Sequence, residues 1–273
     1  MIISREPCPA LRPFVKMLWA VDQPASPWCG VAQRERVLTA ASTHIAVRLG
    51  NCPIRIFRDT DDPKGNALGY AVIGGPRQTF YVRDISQPIS IVGAQIDSLA
   101  ARAIFGMPSL ELANRHTRLD DVWGSSVDRL RSQMIEAKSP GLRLRLLEEA
   151  LLTHLRCARQ IHPAVAHALH RLPTASNVRD VVKETGYSQR RFIALFREEI
   201  GLTPKVFCRL LRFQRFLSQL KAQPAAMWAD LAYDAGYSDQ AHFNREFREF
   251  TGVTPGEYRF FSNQPHGHAP VLQ

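Results

Sequence analysis

GYSQRRFIALFREEIGLTP at 186–204 and GYSDQAHFNREFREFTGVTP at 236–255 say nearly the same thing twice. The likeness begins upstream, where Val178-Arg179-Asp180-Val181-Val182 answers to Trp228-Ala229-Asp230-Leu231-Ala232. At an offset of 50 residues Asp180, Gly186, Tyr187 and Ser188 match Asp230, Gly236, Tyr237 and Ser238. One residue is then inserted. At an offset of 51, Phe192, Phe196, Arg197, Glu198, Gly201, Thr203 and Pro204 match Phe243, Phe247, Arg248, Glu249, Gly252, Thr254 and Pro255. Two copies are too few for a solenoid, whose units need neighbours to bury their faces. The pattern is that of a duplicated functional unit.

Each copy reads as helix, tight turn, helix. Val178, Val181 and Val182, like Trp228, Leu231 and Ala232, recur at i, i+3 and i+4, one face of a short helix. Gly186 and Gly236 stop these helices, because a left-handed residue after the last turn costs least as glycine. Ser188 and Ser238 follow as expected N-caps of the second helices. On those helices Phe192, Phe196 and Ile200, and likewise Phe243, Phe247 and Phe250, share a face and are expected to pack inward. Thr-Pro opens the next helix in each case, with Pro at the first helical position, and Thr254 with Glu257 reads as a capping box.

Helix pairs with a short Gly-containing turn are helix-turn-helix motifs, which set their second helix into a DNA major groove. The plainer reading is a helical hairpin packed for stability, and against it stand the residues left outside the aromatic face. These are Arg190, Arg191, Ala194 and Arg197 in the first copy, and Gln240, Ala241, His242, Asn244, Arg245 and Arg248 in the second. Arg, Gln and Asn make paired hydrogen bonds to base edges, and Ala allows close approach or touches a thymine methyl. A merely solvated face would more often mix Glu with Lys. Between the copies, Val206, Leu210, Phe213, Leu217 and Leu220 form a helical stripe flanked by Lys205, Arg209, Arg212 and Arg215, the expected phosphate contacts. A helix of some 18 residues is about 27 Å long, of the order of the ~34 Å between successive major grooves on one DNA face.

These residues resemble the DNA-binding domain of the AraC/XylS family of bacterial transcription regulators. The resemblance covers 160–262 and rests on the two GYS turns, the two G-x-T-P ends, Asp-Gln-Ala-His-Phe at 239–243 and Pro204-x-x-x-x-Arg209. It implies that Arg190, Ile193 and Ala194 face bases from the first recognition helix, and Gln240, Ala241, Asn244 and Arg245 from the second. Ile193 is apolar where a polar reader is usual, so the second motif is expected to read more bases. More faintly, Ala10-Leu11-Arg12-Pro13-Phe14-Val15 with Trp19, Gly74-Gly75-Pro76-Arg77-Gln78-Thr79 and Leu119-Asp120-Asp121-Val122-Trp123-Gly124 resemble the sensory half of a subset of these regulators. In the family such a half binds a small effector or mediates dimerisation.

The implied partners are double-stranded promoter or operator DNA, with a small-molecule effector, RNA polymerase and a second copy of the chain as further candidates. At 273 residues the chain is long enough for about two domains. Its net charge of +10 favours a polyanionic partner, and its placement says more. From Arg190 to Lys221 eight Lys or Arg stand against two Glu, a local balance of +6. Five cysteines at 8, 29, 52, 157 and 208 form no C-x-x-C pair, which argues against a disulfide framework or a zinc site. The start MIISREPCPA has no apolar core of a signal peptide, and no run is long enough to span a membrane, so a cytoplasmic protein without a membrane partner is expected.

Residues 1–96 read as strand-rich, with runs at Val31–Thr39, His44–Leu49, Ile54–Arg58, Tyr70–Ile73, Thr79–Val82 and Ile89–Ile96 broken by Gly and Pro. From Asp97 the pattern turns helical, with Asp97 or Ser98 as the expected cap of a helix to Phe105, and further helices from Ser109, from Ser125 or Ser126, and from Leu142 to Gln160. The last of these suits docking on the core, a dimer seam or a link between domains. The expected fold is α+β: an N-terminal β-rich sheet or barrel domain with helices at 1–158, then a C-terminal all-α domain at 159–262 of two helix-turn-helix motifs joined by a linker helix, then a disordered tail at 263–273. His44 in its apolar run reads as a partly buried histidine, because a cupin-type metal site needs several His and Glu at strand spacing. Asp61-Asp62 and Asp120-Asp121 are adjacent and would point apart on a strand, and no nucleophile elbow occurs. No catalytic residue, metal or cofactor is expected. Candidate aromatics for an effector pocket are Trp19, Trp28, Phe57, Tyr70 and Phe80.

Overall fold

The structure, a computed structural model, describes residues 1–23, 34–38, 41–156, 161–175, 177–261 and 268–270. The N-terminal part is two antiparallel sheets. One runs in spatial order β1 (Ile2–Arg5), β2 (Val15–Gln23), β9 (Ile89–Ile96), β4 (Thr43–Arg48), β7 (Ala71–Gly74) and β10 (His116–Arg118). The other runs β11 (His268–Pro270), β3 (Arg34–Val37), β8 (Tyr81–Asp84), β5 (Arg55–Phe57) and β6 (Asn66–Ala67). Successive side chains on a strand point to opposite faces, and β4 uses both. Ile45 and Val47 bury against helices, while Ala46 joins Ile54, Val72 and Ile91 in a separate apolar cluster that includes residues of the second sheet's β5 region.

The helices behind the first sheet are α1 (Ala101–Phe105), α2 (Ser109–Leu112), α3 (Asp120–Trp123), α4 (Ser126–Glu136) and α5 (Pro140–His154). Leu144, Leu147 and Leu151 of α5 are fully buried in the cluster that holds Leu18, Ile45 and Val92, so this helix docks on the sheet. It begins two residues earlier than expected, because Pro140 opens it rather than preceding it. Ser139 is the N-cap, its hydroxyl accepting from the Leu142 N–H at 3.2 Å. Neither Asp97 nor Ser98 caps α1: Asp97 accepts from the Leu99 N–H at 2.9 Å, and Ser98 donates to the Ala41 carbonyl.

Strands β1 and β2 were not foreseen, although β2 is nine residues long. Leu18 and Ala20 face the helices while Met17, Trp19 and Val21 face the space between the sheets, so both faces are apolar and the usual alternation vanishes. The tail also departs from expectation, since residues 268–270 pair antiparallel with β3. The remaining tail residues, like residues 31–33 and 39 of the expected first strand, lie outside the described residues.

The C-terminal part comprises α6 (Pro163–Arg171), α7 (Val178–Glu184), α8 (Gln189–Ile200), α9 (Pro204–Ala222), α10 (Trp228–Asp234), α11 (Gln240–Thr251) and α12 (Pro255–Phe261). One apolar core serves all of it. Phe192, Phe196, Phe213, Phe216, Phe247 and Phe250 are each fully buried there. The central helix α9 divides its contacts along its length. Phe207 near its start meets Phe196 of α8 at 5.5 Å between ring centres, whereas Phe213 and Phe216 meet Phe250 and Phe243 of α11 at 5.1 and 4.7 Å. Edge and tilted contacts of this kind add to plain burial. Ala41 of the N-terminal part is buried in the same core, with Leu38 and Leu99 packed against it.

Candidate nucleic-acid interface

The turns have the conformation their glycines permit, with φ of +72° at Gly186 and +95° at Gly236. Ser188 caps α8, accepting from the Arg191 N–H. In the second copy the cap is Asp239 rather than Ser238. Its carboxylate accepts from the His242 N–H at 2.7 Å, and Ser238 donates to the same carboxylate at 3.0 Å. The inserted residue thus puts a charged acceptor on the helix N-terminus, where negative charge is favoured. These bonds, the His242 amide first, hold the Asp239 carboxyl below its ordinary range. The Thr254–Glu257 capping box is formed: Glu257 accepts from the Thr254 N–H at 2.7 Å, and Thr254 accepts from the Glu257 N–H at 3.3 Å.

With the phenylalanines turned inward, the opposite faces of α8 and α11 are open. Arg190, Arg191, Ala194 and Arg197 are exposed on α8, and Ile193 is half-buried. Gln240, Ala241, Asn244, Arg245 and Arg248 are exposed on α11. His242 is half-buried and braced, one ring nitrogen against the Ser238 hydroxyl at 3.2 Å and the other 3.2 Å from Glu246.

Between the motifs α9 lines a cleft of about 600 Å³. Lys205, Arg209, Arg212 and Arg215 form one side, Asn177 and Val178 of the first motif border it, and His242 and Glu246 of the second close it. The four cations differ in freedom. Lys205 is exposed, Arg215 donates to the Pro173 carbonyl at 2.5 Å, and the Arg212 guanidinium lies 5.1 Å from the ring centre of Tyr237. Arg209, also an expected phosphate contact, is engaged within the protein. Its Nε donates to buried Glu246 at 2.6 Å and its terminal nitrogens donate to Glu249, so it fastens α9 to α11. Glu246 and Glu249, three apart on α11, were the missed signal: residues so spaced share a helix face.

A second feature lies between the two sheets, a cavity of about 620 Å³ lined by Trp19, His44, Arg48, Arg77, Tyr81 and His116 among others. Of the expected pocket aromatics Trp19 lines it. Phe57 stacks under Arg34, Tyr70 under Arg131 and Phe80 near Arg36, and Trp28 is outside the described residues. Tyr81 and His116, ring centres 4.5 Å apart, were not foreseen, and His44 stands 6.0 Å from His116. Burial, then the charges of Arg77 and Arg83, pull His44 down to about 4. Burial and Arg77 likewise lower His116 well below the ordinary histidine value. Among the described residues no group of three or more His, Cys, Asp or Glu could hold a metal ion, and no helix is long and apolar enough to cross a membrane.

Residues 165–260 match the helix-turn-helix domain family, and residues 4–118 match a domain of unknown function (DUF6597). An uncharacterised HTH-type transcriptional regulator of Haemophilus influenzae is 26% identical over 114 residues, which are 42% of this chain and 38% of that protein. The HTH-type transcriptional regulator MtrA of Neisseria gonorrhoeae is 28% identical over 83 residues, 30% of this chain and 27% of that one. The chain therefore spans well under half the length of these relatives. Among solved structures, ToxT from Vibrio cholerae with an unsaturated fatty acid bound aligns over 95% of both chains, at 11% identity and a TM-score of 0.49. The duplicated motif, its capped helices and the matched residues agree: residues 165–260 form a helix-turn-helix domain of the AraC type.

Proposed function

We propose that the chain is a sequence-specific transcription regulator of the bacterial cytoplasm that works without catalysis. Residues 159–262 bind double-stranded DNA and residues 1–158 sense a small effector or hold a dimer. Helix α8 presents Arg190, Ile193, Ala194 and, at its flanks, Arg191 and Arg197 to one major groove. Helix α11 presents Gln240, Ala241, Asn244 and Arg245 to the next, with Arg248 at its edge and His242 bracing its start. Lys205, Arg212 and Arg215 meet the phosphates between them, where neutralising charge and releasing counterions drive binding. One observation carries this reading: two helices with exposed Arg, Gln and Asn faces share a core, and the motifs that hold them border a cationic cleft along α9. The nineteen-residue α9 is about 28 Å long, of the order of one turn of duplex.

Regulation requires that the effector bind two arrangements of the protein unequally, since equal affinity shifts nothing. The cavity between the sheets supplies a site of a size common for small ligands. RNA polymerase and a second copy of the chain remain further partners of the proposal. The test is selection of bound genomic fragments followed by titration. Tight binding to the selected site and weak binding to its scrambled counterpart is the expected result, and equal affinity for both refutes the reading.

A further inference from the structure

The segment from Gly75 to Tyr81 crosses from β7 in one sheet to β8 in the other, and it touches three parts of the molecule at once. Arg77 and Tyr81 line the cavity. Pro76 lies against Gly201, the residue that ends α8: a Cβ there would stand 2.7 Å from Pro76 Cγ and 2.9 Å from the Ser109 carbonyl oxygen. Phe80 lies against Gly252, the residue that ends α11, where a Cβ would stand 2.5 Å from the Phe80 ring. The early part of the segment is fixed by backbone bonds. The Gly75 N–H donates to the Arg115 carbonyl at 3.1 Å, and the Pro76 carbonyl accepts from the Asn114 N–H at 2.9 Å.

The cavity side asks for an anion. A terminal nitrogen of Arg77 is 3.3 Å from Nδ1 of His116. A guanidinium can only donate, so Nδ1 accepts and the neutral ring carries its proton on Nε2. That Nε2 is buried without a hydrogen-bond partner among the described residues, and so is Nε of Arg48, a residue only 4% exposed. Buried donors left unmatched are costly, and an acceptor that matches them gains correspondingly. Asp84, a carboxylate in the lining, is turned to Ser86, accepting from its amide at 2.8 Å and its hydroxyl at 2.6 Å. The walls around these donors are Trp19, Ile54, Val72 and Ile91, which suit an apolar body.

We propose that Gly75–Tyr81 is a two-sided relay: its inner side, Arg77 with His116, takes the carboxylate of a small amphipathic organic acid, and its outer side, Pro76 and Phe80, passes occupancy to the C-terminal ends of both DNA-facing helices together. A carboxylate presents acceptor oxygens and one charge, which the His116 Nε2–H meets directly while the Arg77 guanidinium, on the ring's other nitrogen, fixes that tautomer and supplies the charge that assists the bond. Because a single short segment abuts α8 and α11 at equivalent glycines, the ligand shifts the two helices as a pair. The relay rests on the regulator reading given above and adds the ligand class and the route.

The experiment uses the full chain with decanoate and 2-naphthoate as probes, decanamide as the neutral control and decyl phosphate as the competing anion. Calorimetric titration reads binding, and amide hydrogen exchange reads peptides covering 197–203 and 248–254. At least one carboxylate binds and decanamide does not. Arg77→Gln weakens that binding by at least about tenfold, the loss expected for a charge-assisted bond, and Arg77→Lys falls between. Occupancy changes exchange at both helix ends in the wild type. Phe80→Ala binds the carboxylate as the wild type does, but loses the response at 248–254 and keeps it at 197–203. The relay is overturned if neither carboxylate binds, if decanamide or decyl phosphate binds as well or better, if both Arg77 variants bind normally, or if the helix ends do not respond. DNA discrimination by the same unliganded wild-type samples separates the two readings. A protein that ignores the probes but selects its site overturns the relay alone, while one that does not discriminate overturns the regulator reading.

Discussion

Nε of Arg209 and Oε1 of Glu246 are 2.6 Å apart, joining the second turn of α9 to the inner face of α11. Glu246 is 5% exposed, and its other carboxylate oxygen is buried without a partner among the described residues. Removing the arginine leaves that buried carboxylate with only the His242 ring beside it, the costly way to break such a pair. Arg209→Ala is expected to destabilise the fold by about 3 kcal/mol, measured by urea unfolding. Replacing both partners with apolar residues of similar volume should recover most of that loss. A single mutant as stable as the wild type would show the pair to be ornamental.

Arg245 and Lys205 should separate base reading from phosphate contact. Arg245→Ala is expected to cost about 1–3 kcal/mol on the selected site and little on scrambled DNA. Lys205→Ala should weaken both alike and reduce the salt slope by about one counterion. Gel-shift titrations over a salt series give both quantities.

Four glycines offer an internal control. Gly186, Gly201, Gly236 and Gly252 all have positive φ, but Gly186 and Gly236 have nothing within 4 Å of an added Cβ, whereas Gly201 and Gly252 meet Pro76 and Phe80. Alanine at Gly186 or Gly236 should cost about 1 kcal/mol from backbone strain alone. At Gly201 or Gly252 the same change should cost clearly more, since the neighbouring part of the chain must move. Thermal unfolding of the four variants, read as a pairwise difference, checks this.

Acid should loosen the N-terminal part through its histidines. His44 is held neutral down to about 4, against 6.5 for the free group, by burial and then by Arg77 and Arg83. Between those values the unfolded chain binds the proton and the folded chain does not, so stability falls as pH drops from 6.5 towards 4. The full effect is up to about 3 kcal/mol. His44→Gln should flatten that slope in denaturant titrations across the window, while His116, lowered in the same direction, keeps part of it.

The C-terminal architecture was legible because its signals are local. Glycine turns, Thr-Pro starts and the phenylalanine period each act within a few residues, and the structure forms them where they stand. The cap at Asp239 rather than Ser238 shows the limit, since one inserted residue moved the first helical position. The ion pairs of Arg209 were not visible in the sequence, because its partners sit 37 and 40 residues away, beyond any periodic pattern. The cavity was the least visible part. Tyr81, His116 and Arg77 come from separate strands and a crossover, and only the closing of two sheets brings them together.

The shared phenylalanine core has a consequence for the promoter. Since α8 and α11 are both bolted to α9 through Phe207, Phe213 and Phe216, neither helix can swivel to follow a displaced half-site. Inserting about 5 base pairs between the half-sites would turn the second one to the far side of the duplex. The chain would then hold by one motif alone, whereas a full-turn insertion would restore the facing but overreach the rod. On the proposed reading, operator phasing is set by the protein's interior rather than its surface.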